Sequence, residues 1–173
     1  MADYQQVKRA KEMARDIRIV VLETLSAFGS GHIGGSMSAA DLMGVLYSGT
    51  MRVDPQNPQW SDRDYFVCSK GHVGPVVYSA LALSGFFPRE ELKTLNHLGT
   101  HFPSHCDRTR TPGIDMTAGS LGQGLSAAVG IALGNKLAGR ENYCYALIGD
   151  GESQEGQIWE ALMFAGHNKL NHL

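Results

Sequence analysis

With 173 residues, the chain is long enough for one domain with a substantial buried core and too short for two full α/β domains. Its 43% hydrophobic and 18% charged residues describe an ordinary globular chain, and a net charge of −2 with mixed signs offers no field for nucleic acid or a membrane surface. No apolar run is long enough to span a bilayer, residues 1–15 lack the apolar core of a secretion signal, and Cys68, Cys106 and Cys144, odd in number and widely spaced, point to a reducing cytoplasm rather than a disulfide framework.

In chain order, Ile17, Val20, Val21, Thr24, Leu25 and Phe28 recur at helical spacing and predict an amphipathic helix over 3–28, stopped by Gly29-Ser30-Gly31. A second helix is expected to open at Ser38, with Asp41 three residues on in a capping-box arrangement, and to run to about Ser48. Residues 54–64 carry two prolines and read as loop, and 65–68 as a short strand ending in Ser69-Lys70-Gly71-His72. Val76, Val77, Ala80 and Leu81 restore helical spacing, and Pro88-Arg89-Glu90-Glu91 has the proline and acids of a helix start. From 98 to 119 the periodicity disappears, and a loop of that length in a compact domain is usually functional. A helix follows through Leu125, Ala128, Val129, Ala132 and Leu133. The apolar run 143–148 then reads as a central strand buried on both faces, and a last helix is expected from Glu155 with Ile158, Trp159 and Leu162 on one side. Strands separated by helices define an α/β fold with a mainly parallel sheet flanked by helices, and a chain that stops after a helix reads as unfinished at its C-terminus.

Three patterns carry chemistry. Gly149-Asp150-Gly151 stands where a strand meets a helix, the place where open α/β sheets bind ligands; a glycine lets backbone approach a diphosphate and an aspartate can hold Mg²⁺. Asp-Gly is also an ordinary turn dipeptide. Gly119 to Ser126 places three glycines at a helix start, which suits an anion or a flat ring against exposed backbone groups, or a plain helix-start loop. His32, His72, His101 and His105 all sit at element ends or in loops, where each has either an ordinary capping role or a ligand to reach. No Cys-x₂-Cys pair, Gly-x-Ser-x-Gly or Walker sequence is present.

The ordered motifs Gly31-His32-x-Gly34-Gly35-Ser36, Ser69-Lys70-Gly71-His72, His105, Pro112-Gly113-Ile114-Asp115, Gly119-Ser120-Leu121-Gly122-Gln123-Gly124 and Gly149-Asp150-Gly151-Glu152-x-Gln154-Glu155-Gly156 span nearly the whole chain, which resembles the N-terminal section of transketolases, in particular the bacterial type whose two sections can be separate chains. The resemblance implies a thiamine diphosphate-binding fold of the diphosphate-binding type, with 1–173 forming one domain that lacks its C-terminal part. It implies a cytoplasmic transferase of carbohydrate metabolism, of the pentose phosphate type, moving a two-carbon ketol unit from a ketose to an aldose phosphate. The cofactors implied are thiamine diphosphate and Mg²⁺, or Ca²⁺ or Mn²⁺ in its place. Asp150 would coordinate the metal, Gly149, Gly151 and His72 would meet the diphosphate, and Gly119, Ser120 and Leu121 the aminopyrimidine ring. His32 and His105 would bind oxygens of the donor, and Glu155 would join a carboxylate network between two active sites.

The partner implied is a pyrimidine-binding domain in the same or a separate chain, in a homodimer or heterotetramer. It would bring the ring-activating glutamate, and a further metal ligand would lie beyond Leu173, so this fragment alone is expected to be inactive. Ile33 and Cys106 stand where relatives have proline, and both neighbour the donor-sugar histidines. A related enzyme acting on a sulfonated or otherwise modified ketose, or a noncatalytic partner-binding fragment, are the alternatives.

Overall fold

The computed structural model describes residues 3–173. Two strands, β1 (Tyr65–Cys68) and β2 (Cys144–Leu147), pair in parallel with Tyr65 opposite Cys144 and Cys68 opposite Leu147. Alternate residues of β1 enter two different cores, as the pleat of a strand requires. Phe66 and Cys68 pack among α1 (Tyr4–Phe28), α2 (Ile33–Val45) and α3 (Gly74–Leu83). Val67 packs on the other side with α4 (Gln123–Leu137) and α5 (Gly156–His167). The architecture is therefore helices, sheet, helices in three layers, as the sequence pattern implies. Among the described residues no helix is long and apolar enough to cross a membrane, and all three cysteines are buried and unpaired.

The first helix follows its pattern except at its end: Ala14, Ile17, Val20, Val21, Thr24 and Leu25 are buried, Phe28 is exposed, and Gly29 in the left-handed conformation closes the helix with its N–H on the Leu25 carbonyl. The second departs from expectation. It opens at Ile33 rather than Ser38, so Gly34 and Gly35 are helical. Two interior glycines cost about 1 kcal/mol each in propensity, but a methyl group on Gly35 would fall 2.6 Å from the Val73 side chain. Close packing outweighs propensity here. Ser38 accordingly bonds the Gly35 carbonyl inside the helix, and Asp41 pairs with Arg18 of α1 at 2.6 Å instead of capping. The helix runs on through a widened turn, Leu46–Thr50, in which Gly49 is left-handed. Pro88 does start a helical segment, a tight 3₁₀ run over Arg89–Thr94.

Two further expectations are corrected. The strand of the run 143–148 is not buried on both faces: Cys144 is buried, Tyr145 to Leu147 are half-buried, and among the described residues β1 is its single neighbour. In α5 the buried stripe is Ile158, Ala161 and Ala165, while Trp159 and Leu162 are exposed. A position next to Ile158 lies about 100° round the helix, and the Trp159 indole N–H turns back to the Ser153 carbonyl.

Helices α1 and α2 cross at Gly44, where a methyl group would lie 2.7 Å from the Ala10 carbonyl oxygen and 2.8 Å from the Ala14 Cβ. Gly44→Ala is expected to destabilise the fold by about 1–2 kcal/mol, since overpacking against backbone exceeds the gain in helix propensity. Urea unfolding reads this; equal or greater stability would mean that the helices can separate without loss.

Candidate functional site

The carboxyl ends of β1 and β2 are fixed by one buried side chain. Glu152, 2% exposed, lies in a 3₁₀ turn directly after Gly149-Asp150-Gly151. Its Oε1 accepts from the Ser69 hydroxyl at 2.5 Å and the Gly122 N–H at 2.9 Å, and its Oε2 accepts from the Gly149 N–H at 2.9 Å. Ser69 in turn accepts from the Leu125 N–H at 3.1 Å. The ends of both strands and the start of α4 thus converge on one carboxylate. The neighbouring loops touch closely enough that a methyl group on Gly71 would fall 2.0 Å from the Ala118 carbonyl oxygen.

Above this clasp lies a cleft of about 460 Å³ lined by Gly34, Gly35, Ser38, Lys70, His72, Leu121, Gly149, Asp150, Gly151 and Glu152. The N–H groups of Asp150 and Gly151 donate to no acceptor among the described residues, and nothing fills the space a side chain at Gly151 would take. His32, the N-cap of α2, stands beside His72 with ring centroids 5.0 Å apart and beside His105 at 6.3 Å. A methyl group on Gly119 would approach the His105 ring to 3.2 Å, so that glycine and this histidine are in direct contact.

The long loop is held in place. Tyr78 of α3 donates to the Pro103 carbonyl at 2.8 Å and to the His105 carbonyl at 3.2 Å, Phe102 is buried against Tyr78 and Phe87, and the Cys106 N–H reaches the Gly71 carbonyl at 3.3 Å. Asp115 accepts from the Phe66 N–H and pairs with Arg63 at 2.7 Å; burial raises its pKa against that pairing.

The structure brings His32, His72 and His105 together, and Leu121, Gly149, Asp150 and Gly151 onto one cleft. His101 stands apart, its Nδ1 3.2 Å from the Arg110 carbonyl. Ser120 and Glu155 are exposed, and Glu155, the N-cap of α5, packs beside Gly122 and makes no ion pair among the described residues. Among the described residues no three His, Cys, Asp or Glu side chains converge as a metal site, so Asp150 offers a lone carboxylate. Sequence reasoning passed over Glu152, Ser69 and Lys70, although Glu152 stands inside the Gly-Asp-Gly-Glu motif; its burial is a tertiary fact with no signature in spacing. The residues fit a diphosphate on one observation: two unpaired backbone donors and a histidine face one concave space at the ends of parallel strands, where such sheets bind phosphorylated ligands.

Fold and site together define an α/β cofactor-binding domain with its mouth at the carboxyl edge of a parallel sheet. Residues 9–173 match the family model "Transketolase, thiamine diphosphate binding domain", and the chain belongs to that family. It is 56% identical over 163 residues to a 6-deoxy-6-sulfo-D-fructose transketolase subunit from a Clostridium species, covering 94% of this chain and 59% of that protein. With mouse transketolase it is 41% identical, over 99% of this chain and 27% of the other. The solved transketolase of Leishmania mexicana superposes with a TM-score of 0.91 at 35% identity, covering 100% of this chain and 27% of that one. The chain thus spans little more than half the length of the first of these relatives and about a quarter of the others.

Two outcomes are expected from this geometry. Glu152→Gln places an amide nitrogen where only donors point, and should cost about 2–3 kcal/mol in chemical denaturation; a loss within the error of the extrapolation would remove the clasp from the account. The second concerns His72, whose pKa is lowered from its ordinary 6.5 by burial first and then by His32, His105 and Lys70. Between the folded and unfolded values the unfolded chain binds more protons, so stability rises with pH there and falls on acidification below about 6.5. His72→Asn should flatten that decline in melts taken from about pH 7 down to about pH 5; an identical slope in variant and wild type would show that His72 does not contribute.

Proposed function

We propose that this chain is the diphosphate-binding portion of a transketolase that transfers a two-carbon ketol unit from a ketose donor to an aldose acceptor. The observation that carries the reading is the meeting of the Gly149-Asp150-Gly151 mouth with His72 at one cleft, with His32 beside His72 and His105 beside His32. When bound there, thiamine diphosphate supplies the electron sink that C–C cleavage next to a carbonyl needs. Asp150 would hold Mg²⁺, or Ca²⁺ or Mn²⁺ in its place, as a hard-oxygen ligand. The Gly149-to-Gly151 backbone and His72 would receive the diphosphate, and Gly119, Ser120 and Leu121 would flank the pyrimidine ring. His32 and His105 would orient the donor by hydrogen bonds to its oxygens, the kind of preorganised contact that lowers a barrier through positioning. Glu155, exposed beside Gly122, would meet its carboxylate counterpart in a second subunit.

The remainder of the active site would come from a pyrimidine-binding domain, in the same chain or in a partner chain, within a homodimer or heterotetramer of the cytoplasm. Residues 1–173 would then belong to one diphosphate-binding domain. For the donor, a second reading has its own support. The relative at 56% identity is named for a sulfonated fructose, and Ile33 and Cys106 differ from proline beside both donor-facing histidines. A sulfonated ketose is therefore the first donor to try beside the sugar phosphates.

The reading is tested with Asp150→Asn in the full-length protein together with its partner. Thiamine diphosphate and Mg²⁺ affinities are expected to fall together, on the order of 100-fold, in calorimetric titrations. Unchanged cofactor affinity across a Mg²⁺ series would refute the assignment of Asp150.

A further inference from the structure

One charged side chain in the cleft has no role in the reading above. Lys70 follows Ser69, which the Glu152 clasp immobilises, and it is the N-cap of the tight turn Gly71–Val73. Its backbone position is therefore fixed. The aliphatic stem runs along the Gly149 backbone: a methyl group on Gly149 would lie 3.5 Å from Lys70 Cδ and 3.8 Å from its Cβ. Lys70 lines the cleft with Asp150, Gly151 and His72.

The Lys70 residue is half-buried, and its ammonium makes no ion pair or hydrogen bond among the described residues. Glu152, the buried acid behind it, already accepts three hydrogen bonds. The Lys70 charge acts locally, since it helps to lower the pKa of His72 and opposes the rise of the Cys68 thiol. Lysine serves phosphates as a mobile point charge on a flexible stem, and here the stem is guided by a strand end.

We propose that Lys70 is a counter-charge for the diphosphate of the cofactor, in addition to any metal that Asp150 would hold, a role that rests on the reading of this cleft as a thiamine diphosphate site. Lys70 is then a binding residue, and the anion it awaits completes its ion pair.

The test compares wild type, Lys70→Met and Lys70→Arg in the full-length protein with its partner. Thiamine diphosphate and unphosphorylated thiamine are titrated calorimetrically at fixed Mg²⁺ and two salt concentrations. Lys70→Met should weaken thiamine diphosphate about tenfold or more, leave thiamine unchanged and reduce the salt dependence of binding; Lys70→Arg should recover most of the affinity. The melting temperature without ligand should be the same in all three. Equal thiamine diphosphate affinity in wild type and Lys70→Met would overturn the proposal while leaving the cofactor site intact. So would parallel weakening of thiamine, or a lowered melting temperature, since either marks a structural role. A wild type that binds no thiamine diphosphate would instead overturn the reading of the cleft itself.

Discussion

The Glu152 carboxylate is the constraint on which the rest of the cleft depends. A buried acid is tolerated when its oxygens are filled by donors, and here the donors come from three separated stretches of chain: Ser69, Gly122 and Gly149. Satisfying one side chain therefore fixes the relative positions of two strand ends and a helix start. His72 and Lys70 inherit their placement from Ser69, Leu121 from Gly122, and Asp150 from Gly149. A second carboxylate does related work at the opposite end of the sheet. Buried Asp64 accepts from the Tyr143 N–H and from the Arg52 backbone and guanidinium. The two strands are thus pinned at both ends by acids, with apolar packing between.

Much of this was legible in the sequence, and for identifiable reasons. The first helix, the strand at 65–68 and the helix after Gly124 have strong periodicity and clear stops, and the structure has each of them. Gly-Asp-Gly between a strand and a helix located the cleft, because the carboxyl ends of parallel strands are where backbone donors are left over. The four loop histidines were visible as well, though three of them meet and His101 does not.

What was hidden depended on contacts between distant segments. The double glycine at 34–35 lies before the helix start expected at Ser38 and is helix in fact, with Val73 leaving no room for a side chain at Gly35. Trp159 looked like a core residue by hydrophobicity, yet the smaller Ala161 and Ala165 occupy the buried stripe. An apolar run such as 143–148 cannot report how many neighbours its strand has. Lys70 stood in plain view inside a motif, and only the absence of a partner distinguishes it from any solvated lysine.

The Tyr78 hydroxyl bonds the long loop through the main-chain carbonyl oxygens of Pro103 and His105, beside the ring contact with Phe102. At His105 such a hydrogen bond is indifferent to the side chain, whereas Phe102 anchors the loop through its ring. The backbone around His105 can keep its course while the residues facing the mouth are exchanged, and Cys106 meets its neighbour Gly71 through main chain in the same way. Fixing the path and freeing the identities separates two tasks that usually compete. The path of the loop beside His105 stays constant, and the side chain at that point is left open to exchange without disturbing the main-chain hydrogen bonds that hold it.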